Sequence, residues 1–147
     1  MSFKFKLEAL RRYRSFQEDV LQKELARAQR NRDREIGRLQ SLLDKRTLAE
    51  NDLKHWRESS TNAPRMALFD AYIQRLTGSI AEQGIRVKQA DAVCSEKMQA
   101  LLEAMQNRKT IDRLKEKDLQ AYMEKLSRNE QKFLNEIAIN QFTRNSI

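Results

Sequence analysis

Few side chains in this sequence are of types that do chemistry. His55 is the single histidine and Cys94 the single cysteine, so no second histidine or cysteine cluster completes a metal site around either. His55 reads as a surface or turn-packing residue, and Cys94, on an apolar row, as a small core residue. Gly78 to Gly84 reads GSIAEQG; it lacks the Gly-Lys-Ser/Thr ending of a phosphate loop and lies within a helical pattern. Carboxylates are plentiful but sit at surface-pair spacing, as in Glu18 with Gln22 and Glu124 with Arg128, which supports helices and builds no active site. The chain reads as a non-enzyme with no cofactor. Tyr72 is the residue of more interest: it flanks an apolar row and is expected to stay partly exposed, either packed on Leu53 and Trp56 or touching a partner.

The elements that position these residues are set by Ser59-Ser60-Thr61-Asn62-Ala63-Pro64, an uncharged run that holds the only proline. Proline suits the first turn of a helix and not its interior, and Ser, Thr and Asn accept hydrogen bonds from free amides at a helix start. The expectation is an all-α fold: a two-helix antiparallel coiled-coil hairpin with a longer second helix. Helix 1 is expected at about 3–58, the turn at 59–64 and helix 2 at about 65–142, all in one domain. Composition agrees. With 34% charged residues, 3 Gly and 1 Pro, a mean hydropathy of -0.82 and a repeating apolar pattern, the chain has the profile of long helices.

On the first arm Ser2 is the expected N-cap. Phe3, Leu7, Leu10 and Tyr13 follow at spacings of four and three, and the stripe continues through Phe16, Val20 and Leu21. From Leu25 the repeat lengthens to eleven: Leu25, Ala28 and Arg32 are answered by Ile36, Leu39 and Leu43, which predicts a nearly straight helix. Arg32 and Arg46 interrupt the stripe, and Leu53 and Trp56 close an arm of roughly 85 Å. On the second arm Phe69, Ile73, Leu76, Ile80, Gln83, Val87, Ala90 and Cys94 form a heptad seam. After a slip of one residue it continues through Met98, Leu101, Met105, Ile111, Leu114, Leu119, Tyr122, Leu126, Phe133 and Ile137. Gly78 and Gly84 fall off this seam, where they soften the helix or admit a close neighbour.

Arms bending at 62 place residue i opposite about 125 minus i, so Phe3 meets Tyr122 and residues 123–147 overhang. Leu126, Phe133, Ile137 and Phe142 are expected on one face of that overhang, as a surface for another protein or for self-association; Thr143 to Ile147 are expected to fray. The net charge is +8. Excesses of four over residues 1–14 and three over residues 108–117 face each other in this register, predicting a positive open end that is either solvated or meets an acidic partner. No stretch is apolar enough to span a bilayer or serve as a signal peptide, and one cysteine fits a reducing, cytoplasmic setting. A basic coiled coil that binds nucleic acid is the alternative. It is opposed by the absence of a groove-reading motif and of available stacking aromatics. Membrane-surface association is weaker still, since the basic residues encircle the rod.

Taken together, Phe3-Lys4-Phe5-Lys6-Leu7-Glu8-x-Leu10, Tyr72-Ile73-x-x-Leu76, Arg108-Lys109 followed by Leu114-Lys115, and Glu130-Gln131-Lys132-x-Leu134-Asn135-Glu136-Ile137-Ala138 resemble the flagellar export protein FliJ family over essentially the whole chain. Asn135-Glu136 stands where the family often has Asp-Glu, and Lys45 and Ala49 stand where it tends to have aromatics. The resemblance implies a cytoplasmic stalk of the flagellar type III export apparatus, peripheral to the inner face of the cell membrane at the flagellar base. It implies insertion of the terminal end into the hexameric export ATPase, with Phe3, Leu7, Arg11, Phe133 and Ile137 as contacts. It further implies contact with the cytoplasmic domain of the membrane export gate through Leu42, Tyr72 and Leu76, and handling of export chaperones. Neither nucleic-acid binding nor direct membrane insertion is expected.

Overall fold

The computed structural model describes residues 2–59 and 63–146. Among them are two α-helices and no strand: α1, Glu8–Ser59, of 52 residues, and α2, Ala63–Asn145, of 83 residues. The helices pack against each other as an all-α helical hairpin. Pro64 is the second residue of α2, where its missing amide hydrogen costs no intrahelical bond. Ser59 is the last residue of α1, and its hydroxyl donates to the His55 carbonyl at 2.8 Å, finishing α1 instead of capping α2. The other expected cap and turn residues, Ser60, Thr61 and Asn62, lie outside the described residues.

Two helix ends differ from expectation. α1 opens at Glu8 and not beside Ser2; the Glu8 amide donates to the Phe5 carbonyl at 3.2 Å, and the Arg11 amide to that of Leu7 at 2.9 Å. Starting at Ser2 would have put Lys4 and Lys6 in the first turn, against the positive end of the helix dipole, whereas Glu8 there complements it. At the other end α2 continues through Thr143 to Asn145, positions expected to fray. The Thr143 and Ser146 hydroxyls donate to the carbonyls of Ile139 and Phe142 at 2.9 and 2.7 Å, holding that turn.

The chain divides into two compact units, Val20–Leu102 and Met1–Asp19 with Glu103–Ile147. In the first, Leu25, Ala28, Ala49 and Leu53 of α1 and Leu76, Ala90, Cys94 and Leu101 of α2 are buried. The heptad row from Phe69 to Cys94 is buried or half-buried at every position. Gln83 is its polar member: its amide donates to the Glu35 carbonyl at 2.9 Å and to the Glu35 carboxylate at 2.5 Å. A buried amide with this one set of acceptors specifies the register of the two helices. Ala49, at a position where the family tends to have an aromatic, belongs to this core. Nothing lies within 4 Å of a Cβ built on Gly78 or Gly84, so no other part of the chain approaches either glycine closely.

In the second unit the Phe3 and Tyr122 rings meet as predicted, with centroids 5.5 Å apart and planes inclined by 47°. Lys115 reaches Glu8 and Arg11 reaches Asp112, each pair two positions from the predicted mirror register. What this register brings inward on α1 differs from expectation. Leu7, Leu10, Tyr13 and Phe16 are exposed, and Glu8, Arg11 and Glu18 face α2 in their place. The reason lies on the opposite helix, which offers Arg108, Asp112 and Lys115 there: charged partners meet across the seam, and the apolar side chains rotate outward with the helix.

Candidate docking surfaces

The charges facing inward in the terminal unit form a lattice. Glu8 joins Arg11 at 3.1 Å and Lys115 at 3.3 Å; Arg11 joins Asp112 at 3.1 Å; Arg108 joins Asp112 at 2.9 Å. Arg108 also bonds Glu18, whose burial demands such a partner. The hydrogen bond from Lys115 holds the Glu8 carboxyl below its ordinary range against an opposing desolvation, and the charges of Lys115 and Arg11 with the Arg11 hydrogen bond add to the lowering. Bonding to Glu18, helped by Asp112, pushes the Arg108 guanidinium up, which leaves it charged at every accessible pH. The expected positive open end is therefore partly neutralised from within. Lys4, Lys6, Lys109, Arg113 and Lys117 remain exposed; Arg14 is half-buried, with its Nε buried and unpaired.

Beyond Tyr122 every described residue of α2 is exposed. A helix turns about 100° per residue, so Leu119, Tyr122, Met123, Leu126, Phe133, Leu134 and Ile137 share one side. Tyr122 belongs to the row that meets Phe3, so this stripe prolongs the face by which α2 packs on the start of the chain. Phe133 is 63% exposed and Leu134 58%. Phe142, five residues after Ile137, is turned away by about 140° and does not share the face expected of it. Met123 and Leu134, not on the seam read from the sequence, join it, each three residues before a stripe member, Leu126 and Ile137.

The candidate residues fall unevenly on these surfaces. Phe133 and Ile137 lie on the stripe, Leu7 is exposed at the entrance to α1, Phe3 is half-buried on Tyr122, and Arg11 is engaged in the charge lattice. In the other unit Tyr72 is 42% exposed and Leu42 half-buried, while Leu76 is 6% exposed and belongs to the core. The structure does not bring these three to one open surface. Leu68, 72% exposed and one turn before Tyr72, extends that surface and was missed because it lies off the seam. Trp56 carries the Arg65 guanidinium 4.4 Å from its ring centroid, an attraction to the ring face. His55 is exposed, Cys94 is a buried free thiol, and no group of metal-binding side chains occurs among the described residues. No described helix is long and apolar enough to cross a membrane.

These features define an all-α helical-hairpin protein with rows of large apolar side chains left open on its helices. The chain belongs to the flagellar FliJ protein family, whose match covers residues 3–146. It is thereby a component of the flagellar export apparatus, from an adaptor family of that system. Comparison with curated proteins and with solved structures found no match.

Proposed function

We propose that this chain is a non-enzymatic stalk and adaptor that inserts its terminal end into the hexameric flagellar export ATPase and contacts the cytoplasmic domain of the membrane export gate. In this reading it works at the inner face of the cell membrane at the flagellar base and helps handle export chaperones. The observation that carries the proposal is the stripe from Leu119 to Ile137, a row of large apolar side chains left in water on the face of α2 that otherwise packs on α1. Burying a leucine or phenylalanine is worth about 1.5–3 kcal/mol, so a partner that covers Leu126, Phe133, Leu134 and Ile137 gains substantially. Phe3 and Leu7 stand at the near end of the same unit, and Arg11, Glu8 and Lys115 hold them there. Tyr72, with Leu42 beside the core and Leu76 beneath, is the proposed gate contact; Leu68 adds to its open area.

The test uses purified export ATPase. Phe133→Asp combined with Ile137→Asp places two charges on the stripe without touching the helix pair. The expected result is loss of co-purification with the ATPase and of any stimulation of its hydrolysis, with helical circular dichroism unchanged. Ending the chain after Tyr122 is expected to do the same. Undiminished binding and stimulation by both variants would overturn the assignment of the stripe.

A further inference from the structure

A second surface lies far along the sequence from the stripe, on the Val20–Leu102 unit. A groove of about 480 Å³ runs between the helices, lined by Arg27, Arg30 and Arg34 of α1, with Ala28 and Val93 as its apolar floor and the Glu24–Lys97 pair at its edge. Lys97 donates to Glu24 at 3.1 Å. The three arginines recur at intervals of three and four, so they share one side of α1, and all three are exposed. The carboxylates of this stretch of α1 are already engaged: Glu24 with Lys97, Asp33 with Arg32, and Glu35 with Arg38 and Gln83. Among the described residues, none of the three arginines has a carboxylate partner. Three guanidinium forks beside an apolar floor are left as a row of unmet donors.

We propose that this groove binds an acidic amphipathic helix of a partner protein. A helix with carboxylates three and four residues apart presents them at the same intervals as Arg27, Arg30 and Arg34, and planar guanidinium groups hold carboxylates through paired hydrogen bonds. The apolar residues of such a helix, beside its carboxylates, meet Ala28 and Val93, the latter 43% exposed. This is helix-in-groove recognition with charge complementarity setting orientation and encounter rate. Nucleic acid fits less well, because no aromatic lines the groove to stack a base and the Glu24 carboxylate stands at its edge. A lipid surface fits less well, because the cations border a channel and not a broad amphipathic face.

The experiment measures fluorescence anisotropy of a short labelled helical peptide with glutamates at intervals of three and four beside a leucine row, titrated with the full chain at physiological salt. Its arms are a scrambled peptide of the same composition, a labelled DNA duplex, and vesicles of anionic phospholipid. The expected result is saturable binding of the patterned peptide, at least tenfold tighter than that of the scrambled one. Arg27→Gln, Arg30→Gln and Arg34→Gln together weaken it at least tenfold, and Lys54→Gln, Arg86→Gln and Lys88→Gln, which remove the same charge elsewhere, leave it within twofold. Circular dichroism of both triple variants is expected to match the parent. Equal affinity for the scrambled peptide, equal loss in the two variants, or no binding of the patterned peptide overturns the proposal. So does arginine-dependent binding of the duplex or vesicles that exceeds binding of the peptide.

Discussion

Glu8 joins three functions in one side chain. It sits in the first turn of α1, where its charge complements the helix dipole, and it accepts hydrogen bonds from Arg11 and from Lys115 across the seam. Because its carboxyl is held below the ordinary value of 4.5, folding favours the ionised form. That contribution is present in full above the unfolded value and is lost as pH falls toward the lower folded one. Glu8→Gln has no such titration. The urea-midpoint difference between parent and variant is therefore expected to shrink on acidification from about pH 6 to about pH 3, since other carboxylates titrate alike in both. A difference constant over that range would show that Glu8 is not held by these partners. Leu7, adjacent to it, was read as a seam residue on spacing alone. Which of two neighbours turns inward was decided by Lys115, a residue 107 positions further along.

At the level of the helices, α2 holds its course through Gly78 and Gly84 although each glycine disfavours helix by about 1 kcal/mol relative to alanine. Neither is needed for conformation, as no glycine has positive φ, and an added methyl meets nothing within 4 Å. Gly78→Ala and Gly84→Ala are each expected to raise stability by about 1 kcal/mol, read as a higher thermal midpoint in circular dichroism. A lowered midpoint would mean that another group approaches those positions more closely than the structure shows. The heptad on this stretch was legible because α2 meets an apolar partner there, so period and burial coincide. On the start of α1 they part: Tyr13 and Phe16 keep the helical period while facing water, and no local pattern distinguishes an apolar row that packs from one that is exposed.

Across the molecule the two units are held by different forces. Val20–Leu102 contains most of the buried apolar side chains, whereas the terminal unit has Ala104 and Ile111 and a lattice of ion pairs. Partly exposed ion pairs contribute about 0–1 kcal/mol each and weaken with salt, while apolar burial does neither. Native-state hydrogen exchange is expected to be slower in α1 from Leu25 to Leu53 than from Arg11 to Glu18, with the contrast widening as salt is raised. Uniform protection along α1 at high salt would show that the ionic seam matches the apolar one.

From the sequence alone follow two helices, the proline at the start of the second, the heptad from Phe69 to Cys94, the contact of Phe3 with Tyr122, and the resemblance to the family. All of these depend on local propensity, helical period or the counting of residues from one reversal. Tertiary structure alone decided that Glu8, Arg11 and Glu18 face inward, that Ala49 is core, and that Arg27, Arg30 and Arg34 line one groove. Each of these depends on what the opposite helix presents at that height, and the pairing of side chains some fifty to a hundred positions apart leaves no periodic trace in either segment.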